Sequence, residues 1–216
     1  MLNIRDKNKI FFTSDTHFNH NPNWEIPLWK MRGFTSVTEH NDAIFKSIND
    51  TVKEDDYLFH LGDFCLNTPP DKFDALIERI NCQNVYMLFG NHPNSHFKNV
   101  YKPMVKSILK ENYTDESEIY PLRYKNIIYI GNYYEAVLGG RFIVMSHYPL
   151  MIWNEVKNGA VCLVGHSHGA CEYTNSKGEY GKILDVSYDE FKHPLSLQEV
   201  IDIVSNKKYR PIDHHL

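Results

Sequence analysis

The stretch Lys9-Ile-Phe-Phe-Thr-Ser-Asp-Thr-His17 is an apolar, strand-forming run that stops at an acid and an imidazole two residues apart. Ile, Phe and Thr fit a pleated, buried surface, and the polar pair falls where such a strand ends. The same join recurs along the chain. Asp56-Tyr-Leu-Phe-His-Leu-Gly-Asp63, Asn84-Val-Tyr-Met-Leu-Phe-Gly-Asn-His92, Arg141-Phe-Ile-Val-Met-Ser-His147 and Ala160-Val-Cys-Leu-Val-Gly-His-Ser-His168 all run from apolar residues into Asp, Asn or His. Each pair alone is common in turns and caps, so the ordered set carries the reading. Together these blocks let one small domain hold two metal ions. Carboxylate, imidazole and amide donors suit manganese, iron, zinc or nickel, and adjacent ions activate water and neutralise a phosphoryl group. The residues therefore point to hydrolysis of phosphate esters.

Working outward, strands are expected at 9–13, 56–61, 84–89, 126–130, 141–145, 160–164 and 182–186. Helices are expected between the early strands. Ser36-Val-Thr-Glu39 is a capping-box sequence followed by Ala43, Ile44, Ile48 and Val52 at helical spacing, and Ser196-Leu-Gln-Glu199 opens a last helix in the same way. Further helices are expected at about 70–80 and 97–109, with a solvated loop at 111–117. The second half changes character, because residues 133–138 and 141–145 flank Gly139-Gly140, the turn chemistry of a tight hairpin. Strand-helix alternation followed by hairpin strands fits two packed sheets covered by helices. No Gly-, Pro- or Ser-rich linker divides the 216 residues, so a single domain over 1–216 is expected.

Composition removes several classes. A formal charge of −4 and a pI near 6.3 give no basic footprint for coating nucleic acid. Cys65, Cys82, Cys162 and Cys171 form no Cys-x-x-Cys pair, which disfavours a thiolate zinc site and a disulfide scaffold. No run of about 18 apolar residues marks a membrane span, and the expected location is the cytoplasm.

In their order, Asp15-x-His17, Gly62-Asp63, Gly90-Asn91-His92, His147 and Gly165-His166-x-His168 resemble the signature of the calcineurin-like metallophosphoesterases. Leu184-Asp-Val-Ser-Tyr188 and His193-Pro-Leu-Ser-Leu197 resemble the closing strand and last helix start of small bacterial and phage members. The resemblance implies a four-layer α/β/β/α sandwich of two mixed sheets flanked by helices. It makes Asp15, His17, Asp63 and His168 ligands of one ion, and Asp63, Asn91, His147 and His166 ligands of the other, with Asp63 as bridge. A carboxylate suits a bridge because its two oxygens can serve two cations. The implied nucleophile is a hydroxide held between the ions, and the implied cofactors are two divalent metals, manganese first, then iron, zinc or nickel. His92 takes the place of the family histidine that contacts the phosphate and helps the leaving group depart.

The chain also departs from the family pattern. Many members continue Gly-Asp with two residues and then an acid, often followed by arginine, whereas Phe64-Cys65-Leu66-Asn67 follows here, so the carboxylate that would orient His92 is missing. Asp71 and Asp74 are the candidates to replace it. Pro93 stands where Asp is common, and a change of loop stiffness is expected. His20 and Arg32 are candidate substrate contacts, Arg32 through the planar fork that clamps phosphate. His60 is read as packing beside its strand. The expected substrate is a nucleotide, a cyclic nucleotide or a phosphorylated metabolite, as mono- or diester. The rivals are a catalytically silent metal-binding interaction module of the same fold, and a nuclease acting on nucleic-acid ends, which the mild acidity disfavours.

Overall fold

Runs such as Ile10–Thr13 are apolar on both faces, and the chain buries both. The computed structural model describes residues 1–23, 26–66, 68–92, 121–178 and 181–207, with positions 102, 103 and 106. Its strands are β1 (Leu2–Ile4), β2 (Ile10–Thr13), β3 (Tyr57–His60), β4 (Asn84–Met87), β5 (Leu122–Tyr124), β6 (Ile127–Tyr129), β7 (Tyr133–Leu138), β8 (Arg141–Ser146), β9 (Val161–Val164), β10 (Ile183–Asp185) and β11 (Leu195–Ser196). Its helices are α1 (Leu28–Met31), α2 (Val37–Thr51), α3 (Pro70–Ile77), α4 (Tyr188–Phe191) and α5 (Leu197–Ser205).

One sheet has the order β11-β2-β3-β4-β6-β5, parallel at its centre and antiparallel at both edges. The other has the order β1-β7-β8-β9-β10, in which only the β7–β8 hairpin is antiparallel. Gly139 and Gly140 turn that hairpin with φ of 55° and 76°, angles that side-chain-bearing residues rarely adopt. The sheets bury their facing sides against each other, Phe12, Phe59, Leu61 and Ile128 meeting Ala136, Ile143, Met145 and Leu163. On the outer side of the first sheet, Leu58, Val85 and Ile127 pack under Ile44 and Ile48 of α2 and Phe73 and Ile77 of α3. The outer side of the second carries Val144, Cys162 and Ile183 beneath Trp153 and Ala160, next to a 3-10 turn at Val156–Asn158. Helix α5 contacts β10, β11 and β2 and so closes one open edge of the sandwich. This is the expected α/β arrangement of two mixed sheets flanked by helices.

Capping follows the sequence with one variation. Ser196 and Glu199 form a reciprocal box at α5. At α2, Ser36 Oγ accepts from the Glu39 N–H, but the Glu39 carboxylate accepts from the Thr35 N–H instead. Cys65, Cys82 and Cys162 are buried. The expected helix at 97–109, the loop at 111–117, Asn67 and Pro93 lie outside the described residues, apart from positions 102, 103 and 106. Among the described residues, no helix is long and apolar enough to cross a membrane.

Candidate metal centre

β2, β3, β4, β8 and β9 all end on the same side of the sandwich, and each ends in one of the polar blocks. Hydrogen bonds continue the pairing past the strand ends: the Asp15 and His17 N–H groups donate to the carbonyls of Gly62 and Asp63, and Gly165 N–H donates to the His147 carbonyl, all at 3.0 Å. A bridge between Ser14 and Ser187 stitches the two sheets together beside these loops. The blocks hold unusual backbone angles, with φ of 55° at Asp15, 50° at His17, 53° at Asp63, 70° at His166 and 52° at His168. Left-handed non-glycine residues cost about 1–3 kcal/mol each and persist only where the surroundings over-determine them. Gly90 has no side chain for a steric reason: a Cβ there would overlap the Asp63 carboxylate.

The carboxylates are held by one oxygen each. Asp15 Oδ2 accepts from Ser14 Oγ at 2.6 Å and from the His166 N–H at 2.9 Å, while its Oδ1 is buried without a hydrogen-bond partner. Asp63 Oδ1 accepts from the His92 N–H at 3.0 Å. Its Oδ2 lies 3.6 Å from both His17 Nε2 and His147 Nε2. His17 Nε2 is 3.7 Å and His168 Nε2 3.8 Å from Asp15 Oδ1. These separations are too long for hydrogen bonds, and both ring nitrogens of buried His17 lack a partner. Unpartnered polar atoms at such depth are costly unless something else satisfies them. Donor atoms of Asp15, His17 and His168, and of Asp15, Asp63 and His147, gather within 4.8 Å of one another, a set that fits divalent metal.

Protonation agrees with that fit. Burial opposes ionisation of Asp15, yet the nearby imidazoles of His17, His168 and His147 outweigh it and hold the carboxyl well below the usual range. Burial also lowers the His17 pKa against the pull of Asp15 and Asp63, favouring the neutral, ligating ring. On the other flank, His147 Nδ1–H donates to the Leu61 carbonyl at 2.9 Å, so a neutral ring presents a lone pair at Nε2. Asn91 Oδ1 lies 2.7 Å from that nitrogen and 2.8 Å from His166 Nδ1. The Asn91 side chain thus lies between the His147 and His166 rings, an amide and two imidazoles of the kind that divalent metals take as ligands.

Two acids that sequence reasoning missed organise the site. Asp185 is fully buried; its oxygens accept from Ser187 N–H, Gly169 N–H and Ser167 Oγ, which locks the loop carrying His166 and His168. Asp189 accepts from His168 Nδ1 and, through both oxygens, from Arg32. Burial opposes ionisation of Asp189, but the His168 and Arg32 hydrogen bonds hold its carboxyl well below the ordinary range. Nothing in the sequence around Asp189 marks a partner 157 residues away.

The remaining expected residues fall around these groups. Arg32, expected at the substrate, is turned inward: its side chain is 3% exposed and also donates to the Asp15 and Thr16 carbonyls. His20 accepts the Leu28 N–H at Nδ1 and sets its ring edge-on to His17, 5.7 Å away. His92 is 44% exposed, with Nε2 4.0 Å from Asp63 Oδ2. Asp74 does not serve His92, since it accepts from Tyr124 and pairs with Lys125; Asp71 is exposed at the start of α3.

His60 packs behind the site. Thr16 Oγ1 donates to the Phe64 carbonyl, so His60 Nε2–H donates to Thr16 Oγ1 at 2.9 Å and leaves Nδ1 buried without a partner. Burial is the main cause that pushes its pKa down to about 3, against the attraction of Asp15. Between the ordinary value near 6.5 and about 3, the unfolded chain binds a proton that the folded chain refuses, so stability falls as pH falls. One such group contributes a slope of up to about 1.4 kcal/mol per pH unit. Metal-free His60→Leu is expected to show a shallower decline of Tm from pH 6.5 to 4 than the wild type. Parallel curves would refute the assignment.

Comparison with known proteins bears on the fold and the family. The Aquifex aeolicus protein of unknown function AQ665 shares the fold, with a TM-score of 0.56 at 19% identity over 90% of this chain and 98% of that one. The uncharacterized protein MJ1445 of Methanocaldococcus jannaschii is 36% identical over 85 residues, which are 39% of this chain and 46% of that protein. The family model of the calcineurin-like phosphoesterases matches residues 8–180, a span that runs past every block from Asp15 to His168, and the chain belongs to that family.

Proposed function

We propose that the chain is a dinuclear metal-dependent phosphoesterase that hydrolyses a phosphate mono- or diester. The observation that carries this reading is the set of buried, unpartnered donor atoms, Asp15 Oδ1 and both His17 nitrogens, gathered with Asp63, His147 and His168. Asp15, His17, Asp63 and His168 would hold one ion, and Asp63, Asn91, His147 and His166 the other. Asp63 would serve both ions; its Oδ1 accepts the His92 N–H, and its Oδ2 lies 3.6 Å from His17 Nε2 and from His147 Nε2. When bound, such ions polarise the phosphoryl group and lower the pKa of water from 15.7 to about 7.

The chain's own residues do the rest. His17, neutral and buried, adds no charge to compete with the phosphate, while Asp15 and Asp63 balance the cations. His92 stands at the rim, where its ring can hydrogen-bond or protonate the leaving oxygen. Tyr148, half exposed with its ring 4.7 Å from His166, and the exposed Met151 and Ile152 beyond it, offer an apolar surface for a base or other organic group. A small phosphorylated compound such as a nucleotide, a cyclic nucleotide or a phosphorylated metabolite fits that rim, and manganese is the first metal to test.

The test is hydrolysis of p-nitrophenyl phosphate beside bis-p-nitrophenyl phosphate, with chelator-stripped protein to which manganese, nickel or zinc is restored separately. Turnover is expected only with metal, and the preferred ester separates phosphatase from phosphodiesterase. Stoichiometric metal binding without turnover on either ester would overturn the enzymatic reading in favour of a metal-binding interaction module.

A further inference from the structure

Arg32 and Asp189 make a contact that no step above requires. Arg32 Nε donates to Asp189 Oδ1 at 2.8 Å and Nη2 to Oδ2 at 2.5 Å, a two-point pairing of planar groups. The guanidinium has more donors, and they reach the carbonyls of Asp15 at 2.7 Å and Thr16 at 3.0 Å. Its remaining neighbours are the Tyr188 ring, 5.3 Å from the guanidinium carbon, and His40 Nε2, 2.8 Å from Nη1. Asp189 in turn accepts from His168 Nδ1 at 2.5 Å. One buried ion pair thus holds the backbone between Asp15 and His17 and also fixes the ring of His168. All three of these residues sit at strained, left-handed angles that need external support.

The other flank is supported differently. His147 is oriented by a neutral carbonyl, that of Leu61, and His166 Nδ1 meets Asn91. Neither contact involves Arg32 or Asp189.

Resting on the dinuclear reading, we propose that Arg32 and Asp189 are positioning residues for one metal position only, that of Asp15, His17 and His168, and make it the tighter of the two. A carboxylate behind a ligating imidazole fixes its tautomer and strengthens it as a donor more than a neutral carbonyl does, and loss of such a partner typically costs about 10–100-fold in metal affinity. Asymmetry between the positions follows from the asymmetry of their supports.

The test is manganese binding to full-length, chelator-stripped protein by titration calorimetry, with electron paramagnetic resonance of the loaded samples. Wild type is expected to bind two ions and give a spin-coupled signal. Asp189→Asn is expected to keep one site at its original affinity, weaken the other about 10–100-fold, and replace the coupled signal at low manganese by that of an isolated ion. Arg32→Lys keeps the charge but not the fork, so it should weaken the same site by less; it also serves if Asp189→Asn does not fold, as judged by circular dichroism. Two unchanged sites in both variants, or equal weakening of both sites, would overturn the proposal. A wild-type protein that saturates at one ion would instead overturn the dinuclear reading beneath it.

Discussion

Asp63→Asn is expected to lower metal-dependent turnover at least about 10³-fold, about 4 kcal/mol of transition-state stabilisation, and to weaken both metal positions together. The substitution preserves shape, so the size of the effect comes from charge and from hydrogen-bond polarity. Asp63 Oδ1 accepts the His92 N–H, and an asparagine must keep its carbonyl oxygen there to avoid facing one donor with another. The amide NH₂ is then forced into the place of Oδ2, 3.6 Å from His17 Nε2 and from His147 Nε2. A donor group would point at the spot where two cations need an anion. The metal-free variant should fold without penalty, because removing one of two buried carboxylates whose oxygens lie within 4.8 Å relieves repulsion between like charges. Steady-state kinetics, metal titration and the Tm of the stripped protein separate these effects. Turnover near the wild-type rate would sink the bridging role.

Much of this geometry was legible in the sequence because strand ends and ligand blocks coincide. A buried strand announces itself by an apolar run, and in a parallel sheet neighbouring strands end on the same side, so His17, Asp63 and Asn91 had to converge once β2, β3 and β4 paired in parallel. Strands β1, β5 and β11 gave no such signal. Each is two or three residues long at a sheet edge, where pairing is set by the neighbour and not by local pattern.

Arg32 shows where residue-level reading stops. An arginine in a short loop after a metal motif looks like a phosphate clamp, and the same fork that suits phosphate suits a carboxylate equally well. Only the fold brings Asp189 to it, from 157 positions away, and with the ion pair made the guanidinium has its donors engaged on protein oxygens. Asp185 is similar: its three hydrogen bonds go to residues on two different loops, and nothing local marks it as more than the end of a strand.

His92→Ala is expected to slow hydrolysis of alkyl phosphate esters about 10²–10⁴-fold while slowing p-nitrophenyl esters far less. The difference lies in the leaving group: nitrophenolate departs unaided, whereas an alkoxide needs a proton or a strong hydrogen bond as the bond to phosphorus breaks. The ring is suited to that task by position. It is 44% exposed at the mouth, its Nε2 is 4.0 Å from Asp63 Oδ2, and it lies edge-on to His17 at 5.5 Å. Its backbone N–H is tied to Asp63, so the chain is held there even after the ring is removed, and metal stoichiometry should survive the substitution. With Asp74 committed to Tyr124 and Lys125, the carboxylate beside this ring among the described residues is that of Asp63. Measuring kcat for a series of esters with rising leaving-group pKa turns this into a slope. A steeper dependence in the variant than in the wild type supports proton donation by His92, and parallel lines would show that the ring only stabilises charge on the phosphate.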